Sequence, residues 1–166
     1  MIMNNTTLTL KMKRAISELR SGGKVVISDN SLGTSVLLMS AELIEKESVN
    51  KLSDLALSRP NIILSSNRCN AIGIEVSNQP CSILIENKWT MNDILSLCMP
   101  LTGHKIPNIN GVISENNTSI ISYCLLILRQ SRLLPAGLMS IISNVAPENI
   151  KPVSYTHLTL PTKRIV

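Results

Sequence analysis

The sequence predicts an α/β or α+β layered domain. Short apolar runs of strand length alternate with stretches of helical periodicity, the arrangement that layers helices on a sheet. The chain has 166 residues, the usual size of one domain. Hydrophobic residues make up 44%, enough for a sizeable core, while aromatics are only 2% and Phe is absent, so that core must be aliphatic.

The first ten residues are polar in Asn4, Asn5, Thr6 and Thr7 and lack the charged-then-apolar order of a signal peptide. Residues 11–20 read as a helix, with Met12, Ala15, Ile16 and Leu19 on one face. Gly22 and Gly23 follow it as C-cap residues. Val25 to Ile27 and Val36 to Met39 read as two strands around a polar loop. Residues 48–57 are a second helix, with Ser48 as N-cap and Val49, Leu52, Leu55 and Ala56 inward. A short strand at 61–64 precedes a short helix, opened by Ser65 and Ser66 and stopped by Gly73.

Residues 81–86 form another strand. Residues 90–97 form a helix with Thr90 and Asp93 spaced as a capping box. Residues 101–117 are loop-like. A helix capped by Thr118 or Ser119 runs to Gln130, apolar almost all round, as befits a core or a subunit interface. Residues 138–142 read as a last strand.

Composition excludes several functions. The formal net charge is +5, but the basic residues are scattered and not interleaved with aromatics, so nucleic-acid binding is not expected. The longest apolar stretch, 120–128, is far short of the ~20 residues of a membrane span; the expectation is a soluble cytoplasmic protein. Cys69, Cys81, Cys98 and Cys124 form no Cys-x-x-Cys pair and read as buried reduced thiols, and the spacing argues against zinc. The loop within 23–42 holds Asp29 as its single ionisable residue, beside Asn30, Ser31, Gly33, Thr34 and Ser35. Loops between buried strands are frequent sites of chemistry, yet this one names no reaction.

The last segment has a different character. Pro152 to Thr162 is similar to the translation of a transposase-type sequencing adapter, so residues 152–166 read as a non-native tail after a domain at 1–151. The alternative is an edge strand of alternating β-formers. On the tail reading Tyr155 and His157 are not functional candidates, the net charge falls to +3 without Lys163 and Arg164, and the protein continues past about residue 151.

Three segments then carry a family resemblance. They are Ala15-Ile16-Ser17-Glu18-Leu19-Arg20-Ser21-Gly22-Gly23-Lys24-Val25-Val26, residues 62–74 containing Asn67-Arg68-Cys69 and Ile72-Gly73-Ile74, and Leu133-Leu134-Pro135-Ala136-Gly137-Leu138-Met139. In their order and spacing, residues 12–144 resemble 3,4-dihydroxy-2-butanone 4-phosphate synthase of riboflavin biosynthesis, in a degenerate form. The resemblance implies an α+β fold with a mixed sheet covered by helices. It puts the family's acidic loop, Asp-Arg-Glu-Asn-Glu-Gly-Asp, on Asn30, Ser31, Leu32, Gly33, Thr34, Ser35 and Val36. The family's magnesium needs hard oxygen ligands, and those carboxylates are missing. The Gly-His-Thr-Glu motif falls near Ser119, Ile120, Ile121 and Ser122, and the glutamate of the final strand falls on Ile141. Gly103-His104-Lys105-Ile106-Pro107 is faintly similar to the family's Gly-His-Val-Phe-Pro and leaves His104 as a remnant candidate, although a lone His is more often a loop residue.

Ile127 to Ala136 is also similar to a signature of silent synthase-like domains that precede GTP cyclohydrolase II, whose zinc site uses three cysteines. On this reading the chain lacks both catalytic sites and has no catalytic, cofactor-binding or metal residue of its own. It is a scaffold or dimerisation domain, its partners a second copy and the missing cyclohydrolase domain. Two other readings stand beside it. One is a residual enzyme acting on a pentose phosphate through Lys24, Arg68 and His104. The other is a small-anion or phosphate-sensing module in which backbone N–H groups of the loop at 30–35 hold the ligand.

Overall fold

The computed structural model describes residues 5–100, 103, 105–109, 113–114, 118–142 and 155–160. In chain order they form α1 (Asn5–Arg20), β1 (Lys24–Asp29), β2 (Thr34–Ser40), a 3₁₀ turn (Ala41–Leu43), α2 (Ser48–Ala56), β3 (Asn61–Leu64), α3 (Ser66–Ala71), β4 (Cys81–Leu84), α4 (Met91–Cys98), β5 (Ile113–Ser114), α5 (Thr118–Gln130), β6 (Ala136–Ile142) and β7 (Tyr155–Thr159). The strands make one sheet in the order β5-β4-β3-β6-β2-β1-β7. Every neighbouring pair is antiparallel except β1 and β7, so the sheet is mixed. The predicted α+β class is the observed one.

Side chains of a strand alternate between faces, and here both faces are buried. On one face Val26, Leu37, Ile62, Ile83 and Leu138 pack with Leu52 and Ala56 of α2 and Ile94 and Leu97 of α4. On the other, Val25, Ile27, Leu38, Ile63 and Met139 meet Ala15 and Leu19 of α1 and Ile121, Cys124 and Leu128 of α5. This is why the strands read as unbroken apolar runs. Gly137 permits the closest approach: a Cβ there would lie 2.9 Å from the Met39 carbonyl oxygen and 3.1 Å from Leu128 Cδ1.

Several boundaries shift for physical reasons. The first helix begins at Asn5 rather than residue 11. Its added turns have Leu8 and Leu10 exposed and no apolar stripe to read, but α1 lies against β7, which supports it. Ser48 is not the N-cap of α2; Glu47 holds that place without a side-chain cap bond. The buried Ser48 Oγ instead accepts from the Glu45 N–H at 2.7 Å, tying down the turn before the helix. β4 ends at Leu84, two residues early. The predicted capping box is present, with Thr90 Oγ1 accepting from Asp93 N–H and the Asp93 carboxylate accepting from Thr90 N–H at 2.7 Å.

α5 buries Ile120, Ile121, Cys124, Leu125, Ile127 and Leu128 in the core, so packing within the chain accounts for most of its apolar surface. Leu126 stays 44% exposed. All four cysteines are buried. Residues 155–159, inside the segment read as a tail, pair in parallel with β1, and the Leu160 N–H donates to the Ser28 carbonyl at 2.7 Å. Alternating β-formers meet the open edge of β1 there, whatever their origin.

Candidate functional site

The hairpin of β1 and β2 carries the loop singled out in the sequence. Its turn is held by Asp29, which is 6% exposed. Asp29 Oδ1 accepts from the Ser31 N–H at 2.9 Å, the Ser31 hydroxyl at 2.5 Å and, more weakly, the Leu32 N–H at 3.4 Å. This Asx-type turn is a local alternative to ladder pairing. Gly33 closes it at φ +62°, a left-handed conformation suited to glycine. Below the turn the Ser28 and Ser35 hydroxyls share a hydrogen bond of 2.7 Å.

Beside this turn lies a cavity of about 650 Å³. Asn30 and Ser31 line it from the hairpin, and Thr118, Ser119, Ser122 and Tyr123 from the first turns of α5. Gln79 closes one side from the loop before β4, and Leu126 and Leu160 supply apolar wall. The fold thus brings together positions that the sequence holds almost ninety residues apart. Asn30 and Ser31 stand where the resemblance puts the acidic loop, and Ser119 and Ser122 where it puts the second motif.

The lining is amide and hydroxyl. Asp29 and Tyr123 are its ionisable groups. Burial, and next the neighbouring Cys124, raise the Tyr123 phenol above its ordinary value, so it stays neutral and can donate or accept a hydrogen bond. Magnesium binds through carboxylates with near-ideal octahedral geometry. The single carboxylate here is committed to its own turn, and no group of three His, Cys, Asp or Glu gathers among the described residues. The donor set does not fit the cation. Val36 and Ile141, two further positions the resemblance assigns to carboxylates, pair with each other across β2 and β6 and pack in the apolar cluster under α5.

Of the groups named for a residual enzyme, neither Lys24 nor Arg68 lines the cavity. Lys24 is at the opposite end of β1 from Asp29, about 17 Å away for five residues of strand. Arg68 is structural: its Nε donates to the Leu97 carbonyl at 2.8 Å and its Nη2 to the Ser96 carbonyl at 2.7 Å, covering the orphan carbonyls at the end of α4. His104 lies outside the described residues. Conversely, sequence reasoning did not nominate Gln79 or Tyr123. Both reach the cavity by long-range packing, which no local pattern reports.

The architecture has counterparts among solved structures. It superposes on 3,4-dihydroxy-2-butanone 4-phosphate synthase of Candida albicans with a TM-score of 0.60 at 17% identity, over 83% of this chain and 81% of that one. A cation-free form of the same kind of enzyme matches at 0.60 and 13% identity, over 82% and 78% of the two chains, and a complex with two magnesium ions at 0.57 and 13%, over 82% and 79%.

The fold is that of 3,4-dihydroxy-2-butanone 4-phosphate synthase.

RibBX of A. baumannii, a two-domain 3,4-dihydroxy-2-butanone 4-phosphate synthase, matches at a TM-score of 0.57 and 13% identity. The chain covers 48% of that protein's length, with 83% of its own residues aligned. No protein-family model matches the sequence, and no curated protein does. The superpositions establish the synthase-like fold, and identities this low leave the chemistry to the side chains.

Proposed function

We propose that this chain is a catalytically silent synthase-like module of a riboflavin-biosynthesis protein, serving as scaffold or dimerisation domain ahead of a GTP cyclohydrolase II domain. One observation carries the loss of chemistry. Two positions from each of the motifs that the resemblance assigns, Asn30 and Ser31, and Ser119 and Ser122, line one cavity, and none of the four is a carboxylate, an imidazole or another acid or base that titrates near neutral pH. Such neutral groups can orient a polar ligand but lack the carboxylates that hold magnesium and move no proton at neutral pH. The cyclohydrolase partner is supported by the likeness of Ile127 to Ala136 to the silent-domain signature. Any activity of the parent protein would then be that of GTP cyclohydrolase II, in the cytoplasm, with zinc held by the missing domain.

Incubation with ribulose 5-phosphate and magnesium tests the silent site. The expected result is no turnover above a heat-killed control, and turnover would overturn the reading. The fusion is tested by the unbroken gene. A cysteine-zinc cyclohydrolase domain downstream of Ile150 supports it, whereas a stop codon there sinks it.

A second reading, an anion- or phosphate-sensing module without chemistry, rests on the hydroxyls of the cavity and has the Asp29 carboxylate in its lining against it. The cavity volume suits a small ligand, and hydroxyls cluster at the first turn of α5. A thermal-shift screen with ribulose 5-phosphate, GTP and flavins addresses it, and the absence of a shift with all three counts against it.

A further inference from the structure

Outside the cavity, the most pointed juxtaposition in the molecule is a pair of sulfurs. Cys69 Sγ and Cys81 Sγ lie 2.6 Å apart, and both residues are 0% exposed. Three elements meet to place them. β3 ends at Leu64, which pairs with Cys81 at the start of β4. Ser65, the next residue, caps α3, with its hydroxyl accepting from the Arg68 N–H, and so sets the turn of helix that carries Cys69. The two cysteines therefore close a loop that begins on α3 and ends on β4.

That loop is built to hold its ends together. The N–H groups of Ile72 and Ile74 both donate to the Cys69 carbonyl, at 3.1 and 2.9 Å. Gly73 at φ +82° and Asn78 at φ +54° turn the chain through left-handed conformations. Gly73, Glu75, Ser77, Asn78 and Gln79 are exposed. Gln79 is also the loop's contribution to the wall of the polar cavity. Neither of the other thiols has such a neighbour: Cys124 lies in the cluster on the far face of the sheet, and burial pushes the Cys98 thiol up to about 12 despite the opposing pull of Arg68.

We propose that Cys69 and Cys81 form a redox pair that a small disulfide such as oxidised glutathione converts to an internal disulfide, stapling α3 to β4 and fixing the loop that carries Gln79. A disulfide requires its sulfurs at about 2.05 Å, a small further approach from the observed contact. One cysteine, after losing its proton, attacks a sulfur of the oxidised glutathione and expels one glutathione thiolate, leaving a mixed disulfide. The second cysteine, also deprotonated, attacks the protein-side sulfur and expels the other glutathione. The protein loses two electrons and two protons, and glutathione disulfide becomes two thiols. Because both sulfurs are covered, exchange waits on local opening of residues 72–80, and its rate rises in mild urea.

The full 166-residue chain, equilibrated in glutathione buffers of rising oxidised fraction and then alkylated, tests the proposal by peptide mass spectrometry. The expected outcome is the loss of two of the four alkylatable thiols, a cross-linked peptide joining Cys69 to Cys81, and alkylated Cys98 and Cys124. The thermal midpoint rises by roughly 5 °C on oxidation, as a loop of this length allows. Cleavage after Glu75 by a glutamate-specific protease leaves Cys69 and Cys81 on fragments that separate only after reduction. Cys81→Ser stops at a glutathione adduct on Cys69, while Cys98→Ser still loses two thiols. Four alkylatable thiols at every buffer composition, or a cross-link that joins either residue to Cys98 or Cys124, overturns the proposal even if a variant fails to fold.

Discussion

Asp29 shows how a residue can occupy a candidate site and yet serve the backbone. Its carboxylate holds the hairpin turn through two N–H groups and a hydroxyl. Hydrogen bonds to a buried charged acceptor are worth about 1.5–3 kcal/mol, so Asp29→Ala is expected to lower stability by about 2 kcal/mol in urea titration. Asp29→Asn, which keeps one acceptor oxygen, should retain much of it. Gly137 offers a second test. Alanine there would press on the Met39 carbonyl and on Leu38 and Leu128 side chains, and overpacking of this kind costs about 1–3 kcal/mol. A midpoint unchanged in Gly137→Ala would show that the sheet yields at that point. At this scale the sequence was a partial guide. The resemblance named Asn30, Ser31, Ser119 and Ser122, and the fold gathers them. It could not name Gln79 or Tyr123, nor show that Arg68 clasps the end of α4, since these depend on which turns lie side by side in three dimensions.

Elements whose signals are local were the most legible. Ser65 and Thr90 cap α3 and α4 as their positions predict, because capping is decided within four residues. The Asp93 carboxyl is held below its ordinary value of 3.8, chiefly by the Thr90 N–H and then by its hydroxyl. A depressed carboxyl stabilises the fold above its unfolded value, and that contribution disappears as pH falls through the folded one. Thr90→Ala is therefore expected to cost about 1 kcal/mol near neutral pH, with the gap from the unsubstituted chain narrowing below about pH 4. A gap independent of pH would mean that Asp93 does not take part in the box. Ser48 was misread because the same residue types serve caps and turns alike, and only the chain path distinguishes them. The sequence does not announce the start of α1 because its first turns carry no apolar face: residues 6–10 are exposed.

For the molecule as a whole, alternation of strand and helix disclosed the layered class, but not the strand order. That order depends on which edges the helices leave open, and β7 takes the open edge of β1. Removing residues 152–166 would bare that edge and the site of the fully buried Leu158, worth about 2 kcal/mol of apolar burial. The truncated chain is expected to melt several degrees lower and to associate through the bared strand. An unchanged midpoint would show that the segment adds nothing to the fold. The proposed dimer is a separate matter, tested by sedimentation of the intact chain at micromolar concentration, where a clean monomer would rule it out.

Trp89 carries a practical consequence. It is the one tryptophan in the sequence, and it packs in the cluster with α2 and α4, on the face of the sheet away from α5. Its fluorescence is therefore a private channel to one side of the molecule. A ligand held between the hairpin and α5 that does not itself absorb the emitted light can alter that emission only by disturbing the sheet that separates them.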